Sequence, residues 1–262
     1  MKVAALIRLG VALRNSRRSL SLPPDPSPAA SQNSFLPPIS SKAGHRSGRE
    51  RMAEVKAGYW EEFYAKASLA LEPSSFARHI TSNGYVKNGD RLLDIGCGNG
   101  RDSLHFAATG CEVTGMDASH AAIEILNQQA HPGATFSCLD VNEEAFLEMH
   151  DYKHFYMRFF LHALTPAEEE RVYQVLAKAS PGSRVFAEFR TINDPLMDKG
   201  EVLSENERKF GHYRRFLDVD QELARLKTVG FSRMLLKSEE GNLSIAGDDN
   251  PVLGRIIADK PL

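Results

Sequence analysis

The sequence predicts an α/β fold built on a doubly wound, mainly parallel sheet, and three observations predict it. Short apolar runs alternate with helical patterns through the second and third quarters of the chain. The run Leu92-Leu93-Asp94-Ile95 passes straight into a turn with glycines at alternate positions, Gly96, Gly98 and Gly100, and then into the helical pattern Asp102-Ser103-Leu104-His105-Phe106-Ala107-Ala108. Two later apolar runs end in an acid, at Asp117 and at Asp140. Open sheets of this kind bind ligands outside the carboxyl ends of their strands, where the glycines and the acids fall.

The elements follow in order. Tyr59, Trp60, Phe63 and Tyr64 recur at helical spacing, and Pro73-Ser74-Ser75-Phe76-Ala77-Arg78 follows. Trp60, Tyr64, Phe76 and Arg78 are lid candidates for a site at the first strand. Asn83-Gly84 and Asn88-Gly89-Asp90 are turns that set up that strand. Its glycines permit φ > 0 and close approach of a ligand, because no Cβ intervenes. Their spacing is G-x-G-x-G, whereas a dinucleotide fingerprint is G-x-G-x-x-G. Asp94, two residues earlier, would repel a pyrophosphate but suits an ammonium or sulfonium group. Cys111 to Asp117 reads as a second strand, and an acid at its end can accept hydrogen bonds from two ribose hydroxyls. Ser119 caps a helix through Ala122, Ile123 and Leu126. Ala134 to Val141 is the third strand.

Beyond this, "YKHFYMRFFLHAL" opens with a fourth buried strand and brings Arg158 and His162 to its carboxyl end. An arginine in such a run needs a partner or a bound anion, and Glu188 is the internal alternative. Thr165, Pro166 and Glu168 form a capping box with proline at the first helical position. Ser183 to Arg190 is a fifth strand whose Glu188 and Arg190 share a face. His212, Tyr213, Arg214 and Arg215 form a basic turn, followed by a helix and by the strands Phe231–Glu240 and Pro251–Lys260.

The run "LLDIGCGNGRDSLHFA" resembles the first motif of the class I S-adenosylmethionine-dependent methyltransferases. From about Gly58 to Lys260, "PSSFARHI", "YMRFFLHAL", "FAEFRTINDPL", "HYRRF" and "DDNPVLGRIIADK" resemble a TehB-like, surface-polysaccharide-associated subgroup of that family. The resemblance implies a Rossmann-like seven-stranded sheet ending in an antiparallel hairpin, with S-adenosylmethionine as cofactor. It implies cofactor contacts from Asp94, Gly96, Cys97, Gly98, Gly100, Asp117, Ala118, Asp140, Val141 and Arg158, with Asp140 near the adenine amino group. It also sets Arg158 and His162 beside the transferred methyl. His162 and His212 are candidate bases for a hydroxyl acceptor. Glu188, Arg190, Tyr213, Arg214 and Arg215 are candidate acceptor-binding residues, and converging arginines would favour a small anionic acceptor. A nucleotide-dependent oxidoreductase and a methyltransferase fold kept for binding alone are the other readings.

Composition narrows the partners. A net charge of −2 argues against a general nucleic-acid surface, and no apolar stretch is long enough to span a bilayer. Cys97, Cys111 and Cys138 fall in or beside core strands without metal-ligand spacing. They read as buried reduced thiols of an intracellular protein. Residues 1–51 are rich in arginine, serine and proline and poor in acids. They read either as an organelle transit peptide, mitochondrial or plastid, or as a disordered tail. The folded domain is expected over 52–262, and the oligomeric state is left open.

Overall fold

The computed structural model describes residues 58–65 and 72–262. The expected N-terminal extension and the start of the folded region at Met52 lie outside the described residues. In chain order the elements are α1 (58–65), α2 (Ser75–Ser82), β1 (Arg91–Ile95), α3 (Arg101–Ala108), β2 (Glu112–Asp117), α4 (His120–Asn127), β3 (Ala134–Cys138) and β4 (His154–Arg158). Then come α5 (Pro166–Lys178), β5 (Arg184–Arg190), β6 (Glu201–Val202), β7 (Glu207–Phe210), β8 (His212–Arg215), α6 (Val219–Thr228), β9 (Arg233–Glu240) and β10 (Leu253–Asp259).

The main sheet has seven strands in the order β3-β2-β1-β4-β5-β10-β9. The first five are parallel, and β10 pairs antiparallel with both β5 and β9. Strand order reverses beside β1, which opens a cleft at the carboxyl ends of β1 and β4. β1 can sit centrally because Leu92 to Ile95 are all buried. Its pleat sends Leu93 into the core beneath α5 and α6, with Phe155, Val172 and Leu223. Leu92 points to the opposite face and joins Phe76, Ile80, Phe106 and Tyr156 under α2 and α3. The caps are the expected ones: Ser119 accepts from the Ala122 N–H, and Thr165 and Glu168 close the capping box of α5.

Three features depart from the sequence reading. Cys138 is exposed, because it ends an edge strand, whereas Cys97 and Cys111 are buried. Phe76 is fully buried and stacks on Tyr156 at 5.8 Å, so it belongs to the core and not to a lid. Residues 201–215, where the sequence shows no strand pattern, build a second sheet, β6-β7-β8. Gly211, at φ +73°, reverses the chain and pairs Phe210 with His212. These strands have two to four residues, too few for a period-2 pattern to stand out.

Candidate active site at the carboxyl ends of the strands

On the β1–β2 side the glycine turn is sterically enforced. Gly96, Gly98 and Gly100 take φ of +77°, +53° and +73°. A Cβ on Gly96 would stand 2.3 Å from the Phe160 ring, and one on Gly98 would stand 2.2 Å from the Tyr64 hydroxyl. Asp94 is buried beneath the turn and accepts a 2.5 Å bond from the Ser103 hydroxyl. Burial pushes its carboxyl up to about 8, and Asp102 and Asp117 add to this. Asp117 uses both carboxylate oxygens, one for the Gly98 N–H and one for the Ser119 N–H, each at 2.9 Å. These bonds fix its orientation while burial, Asp140 and Glu61 raise its pKa. Asp140 accepts from the Asn142 backbone and side chain, and Val141 is buried against the core. The neighbouring Ala118 carbonyl receives the Cys138 thiol at 3.7 Å.

α1 covers this half. Glu61 accepts from the Ser119 hydroxyl at 2.9 Å and from the Ala121 N–H at 3.0 Å, serving the N-terminus of α4. Tyr64 lies over Gly98, while Tyr59 and Trp60 reach His212, with ring centroids 4.2 and 5.0 Å away. One helix therefore touches both sides of the cleft. Arg78, the remaining lid candidate, only donates to the Pro73 carbonyl.

The β4–β5 side is a network of paired charges. Arg158 Nε donates to Glu188 Oε1 at 2.8 Å, and Arg255 Nε donates to Glu188 Oε2 at 2.6 Å. The internal partner anticipated for Arg158 is thus in place. Ser244 accepts from Arg158, and Ser75 accepts from Arg255. Arg190 lies between Asp194, with bonds of 3.0 and 3.2 Å, and Asp249. Phe159 sits between these arginines in the left-handed region, at φ +54°. Its ring centroid is 4.3 Å from the Arg158 guanidinium carbon and 6.0 Å from that of Arg190. A bulky residue there costs on the order of 1–3 kcal/mol, a kind of strain that clusters at functional sites. Neither Phe159 nor Phe160 was singled out from the sequence. Their signal was an aromatic pair directly after an arginine at a strand end.

His162 and His212 face the same arginines. The Arg190 N–H points at His162 Nδ1 at 3.4 Å, and His212 Nδ1 is buried without a hydrogen-bond partner among the described residues. Burial, then Arg190 and Arg214, hold His162 well below the usual histidine range. Burial, then Arg214 and Arg190, push His212 down to about 2. Both rings are held in their neutral form at pH 7, and the neighbouring arginines oppose their protonation.

The period of β8 divides the expected acceptor residues between its two faces. His212 and Arg214 turn toward His162, whereas Tyr213 and Arg215 turn away. The Tyr213 hydroxyl donates to Glu207 at 2.6 Å, and Arg215 pairs with Glu169. Glu169 also holds Arg225, next to the Tyr173–Glu222 bond of 2.7 Å, in a buried network linking α5 to α6. Arg215 and Tyr213 therefore support the fold behind the site.

Three segments roof the cleft: α1, residues 191–217, and the β9–β10 loop 241–252, which contributes Ser244 and Asp249. Among the described residues, five of the seven exposed large apolar side chains, Phe63, Ile192, Val202, Phe210 and Ile245, come from these segments, and the other two, Met234 and Leu262, lie elsewhere.

Comparison with known proteins agrees with this geometry. The "Methyltransferase domain" family matches residues 92–180, from β1 to the turn before β5. The main sheet superposes on an S-adenosylmethionine-dependent methyltransferase of Methanosarcina mazei with a TM-score of 0.58, at 23% identity, over 70% of this chain and 97% of that one. Residues 92–180 are thus similar to a methyltransferase domain, and the main sheet has the fold of such methyltransferases. Among curated relatives, the 27-O-demethylrifamycin SV methyltransferase of Amycolatopsis mediterranei is 35% identical over 75 residues, 28% of this chain and 27% of that protein. The ubiquinone biosynthesis O-methyltransferase of Bordetella bronchiseptica is 29% identical over 149 residues, 55% of this chain and 60% of that protein. The chain thus spans between about a quarter and three-fifths of the length of these two relatives. The methyltransferase-family match ends before β5, so Arg190, His212, Arg214 and the β9–β10 loop lie outside it.

Proposed function

We propose that this protein transfers a methyl group from S-adenosylmethionine to an oxygen of a small anionic acceptor. The observation that carries the reading is the acid-rich glycine turn, with Asp117 held by the Gly98 and Ser119 amides. Asp117 keeps lone pairs for two ribose hydroxyls. Asp140 and Val141 would hold the adenine, and the glycines leave room for the amino-acid portion. When bound, S-adenosylmethionine supplies an electrophilic sulfonium methyl. The buried acids favour that positive charge, because a cation lowers the cost of their ionisation. The protein's task is then to align the acceptor oxygen and exclude water, for which proximity supplies most of the acceleration.

The acceptor assignment rests on the other half of the cleft. The names of the relatives support an oxygen acceptor. His162 and His212 are poor bases, which favours an acceptor that arrives ionised over one that must lose a proton. Arg158, Arg190 and Arg214 supply the matching cations. The near-neutral chain favours a small molecule over a nucleic acid. The subgroup resemblance supports a sugar or metabolite bearing a phosphate or carboxylate.

Isothermal titration with S-adenosylhomocysteine tests the cofactor half. Micromolar binding to the wild type, weakened at least tenfold by Asp117→Ala, is the expected result. A folded wild-type protein that ignores the ligand would sink the reading. Methyl transfer from labelled cofactor to a panel of carboxylates and phosphates then tests the acceptor class. The arginine- and serine-rich residues 1–51 support delivery to an organelle, and a fluorescent fusion of that segment tests the address.

A further inference from the structure

The two acids on Arg190 are not equivalent. Asp194 is fully buried, and its oxygens also accept from the Leu196 N–H at 2.8 Å and the Val252 N–H at 3.1 Å. It is built into the turn after β5. Asp249 is 31% exposed and sits on the β9–β10 loop. It meets Arg190 fork to fork, with one carboxylate oxygen on each terminal guanidinium nitrogen. The loop segment that carries it is pinned by a reciprocal backbone pair, Ala246 to Asp249, at 2.9 and 3.0 Å. Arg190 itself is almost wholly buried, beside Phe159 and His162 and on the acceptor side of the cleft.

We infer that Asp249 is an internal stand-in for the acceptor, and that Arg190 is the docking site for a carboxylate on the incoming molecule. This rests on the methyltransferase reading above and narrows its acceptor to a carboxylate-bearing one. A buried guanidinium needs a counter-charge at all times, because an unpaired buried cation is costly. Asp194 supplies one permanently. The second place on the fork is held by a carboxylate from a solvent-edged loop, which a free carboxylate of the same shape can replace without leaving Arg190 unpaired. Replacement releases the loop, which is also tied to Arg158 through Ser244 and to α2 through the Leu243 carbonyl. Acceptor binding and opening of the β9–β10 loop are therefore one exchange of partners. Arg190 and Asp249 become specificity residues, which the neutral side chains of the exposed rim could not be.

The test is a titration of the full-length protein, saturated with S-adenosylhomocysteine, against benzoate as the carboxylate probe and inorganic phosphate as the control. Asp249→Asn keeps the shape of the loop residue but removes the competing charge. It should bind benzoate at least tenfold more tightly than the wild type, with phosphate little changed. Adding Arg190→Lys to that variant should abolish the gain. Hydrogen exchange supplies a second readout: benzoate should strip protection from the Ala246 and Asp249 amides of the wild type. Equal benzoate affinity in wild type and Asp249→Asn, a gain confined to phosphate, or unchanged loop protection would overturn the inference. S-adenosylhomocysteine affinity is read in the same experiment. Its retention while the benzoate gain fails separates failure of this inference from failure of the cofactor reading.

Discussion

The proposed cofactor side of the cleft gathers Asp94, Asp117, Asp140 and Glu61 around three glycines, while the proposed acceptor side gathers Arg158, Arg190, Arg214, His162 and His212 around Phe159. The two sides treat charge differently. The acids have hydrogen bonds but little nearby positive charge, and burial drives Asp94 and Asp117 toward their neutral forms. The arginines Arg158, Arg190 and Arg255 are already neutralised by Glu188, Asp194 and Asp249. One side is left short of a cation, and the other is closed on itself and must exchange partners to take a ligand. The strongest way to break this comparison is Glu188→Ala. It would leave Arg255 without its carboxylate and Arg158 with only Asp102, 4.0 Å away, and breaking a buried pair costs about 3–5 kcal/mol. Urea denaturation should show a loss of that order. A loss below about 1 kcal/mol would mean that Arg158 and Arg255 find other partners, and that the acceptor side is not closed.

Gly96→Ala carries the next largest effect and probes the opposite side. The new methyl must sit at φ +77° and displace the Phe160 ring, which packs against the core. S-adenosylhomocysteine affinity should fall about 100-fold, roughly 2.7 kcal/mol. Unchanged affinity would show that the turn tolerates a side chain and that its glycines serve folding alone.

How far the sequence was legible follows the same division. The β1 turn, Asp117 and the Thr165 capping box are read from neighbours within a few residues, and local spacing specifies them. The parallel pairing of the first five strands follows from that alternation of strand and helix. The acceptor side is assembled from residues far apart in the chain, such as Arg158 with Ser244 and Arg190 with Asp249. No local pattern states such pairs. Arg214 and Arg215 show the limit most sharply. Adjacent in sequence, they looked equivalent, yet the pleat of β8 sends one to the cleft and the other to Glu169. Asp249 falls in the run "DDNPVLGRIIADK", but no local pattern states its role, because that role depends on a loop that closes back over β5.

The pH dependence sharpens the comparison from a third direction. His212 folds with a pKa near 2, far below the ordinary 6.5, so the unfolded chain binds the extra proton. His212 therefore contributes stability that is present above pH 6.5 and lost as pH falls from there toward 2, and His162 acts in the same direction. Asp94 is the reverse. Its folded pKa of about 8 lies above the ordinary 3.8, so its contribution is full below 3.8 and is lost as pH rises toward 8. Between pH 6.5 and 8 Asp94 should give a downward slope of up to about 2 kcal/mol at 1.36 kcal/mol per pH unit, with Glu222, pushed up to about 7 by burial, adding at the lower end. Asp94→Asn should flatten that limb, and His212→Gln should soften the acid limb. A downward slope undiminished in Asp94→Asn would assign it to Glu222 or Asp117, whose carboxyls are also raised, and would remove Asp94 as its source.

The smallest effect is expected at Gly211, and it isolates what crowding adds to backbone conformation. Gly211 and Gly96 have nearly the same φ, +73° and +77°. A Cβ on Gly211 meets nothing within 4 Å, whereas one on Gly96 meets Phe160. Gly211→Ala should therefore cost only the left-handed strain, about 1–2 kcal/mol of stability. Asparagine tolerates that region, so Gly211→Asn should recover part of the loss. S-adenosylhomocysteine affinity should stay within twofold of wild type in both variants. Because His212 follows Gly211 directly and packs on Tyr59 and Trp60 of α1, a loss of affinity here would carry a specific meaning. It would show that α1 transmits the set of the β7–β8 turn to Tyr64 and Gly98, and that the two sides of the cleft are one mechanical unit. Preserved affinity with reduced stability keeps them separate, joined only through the ligands they share.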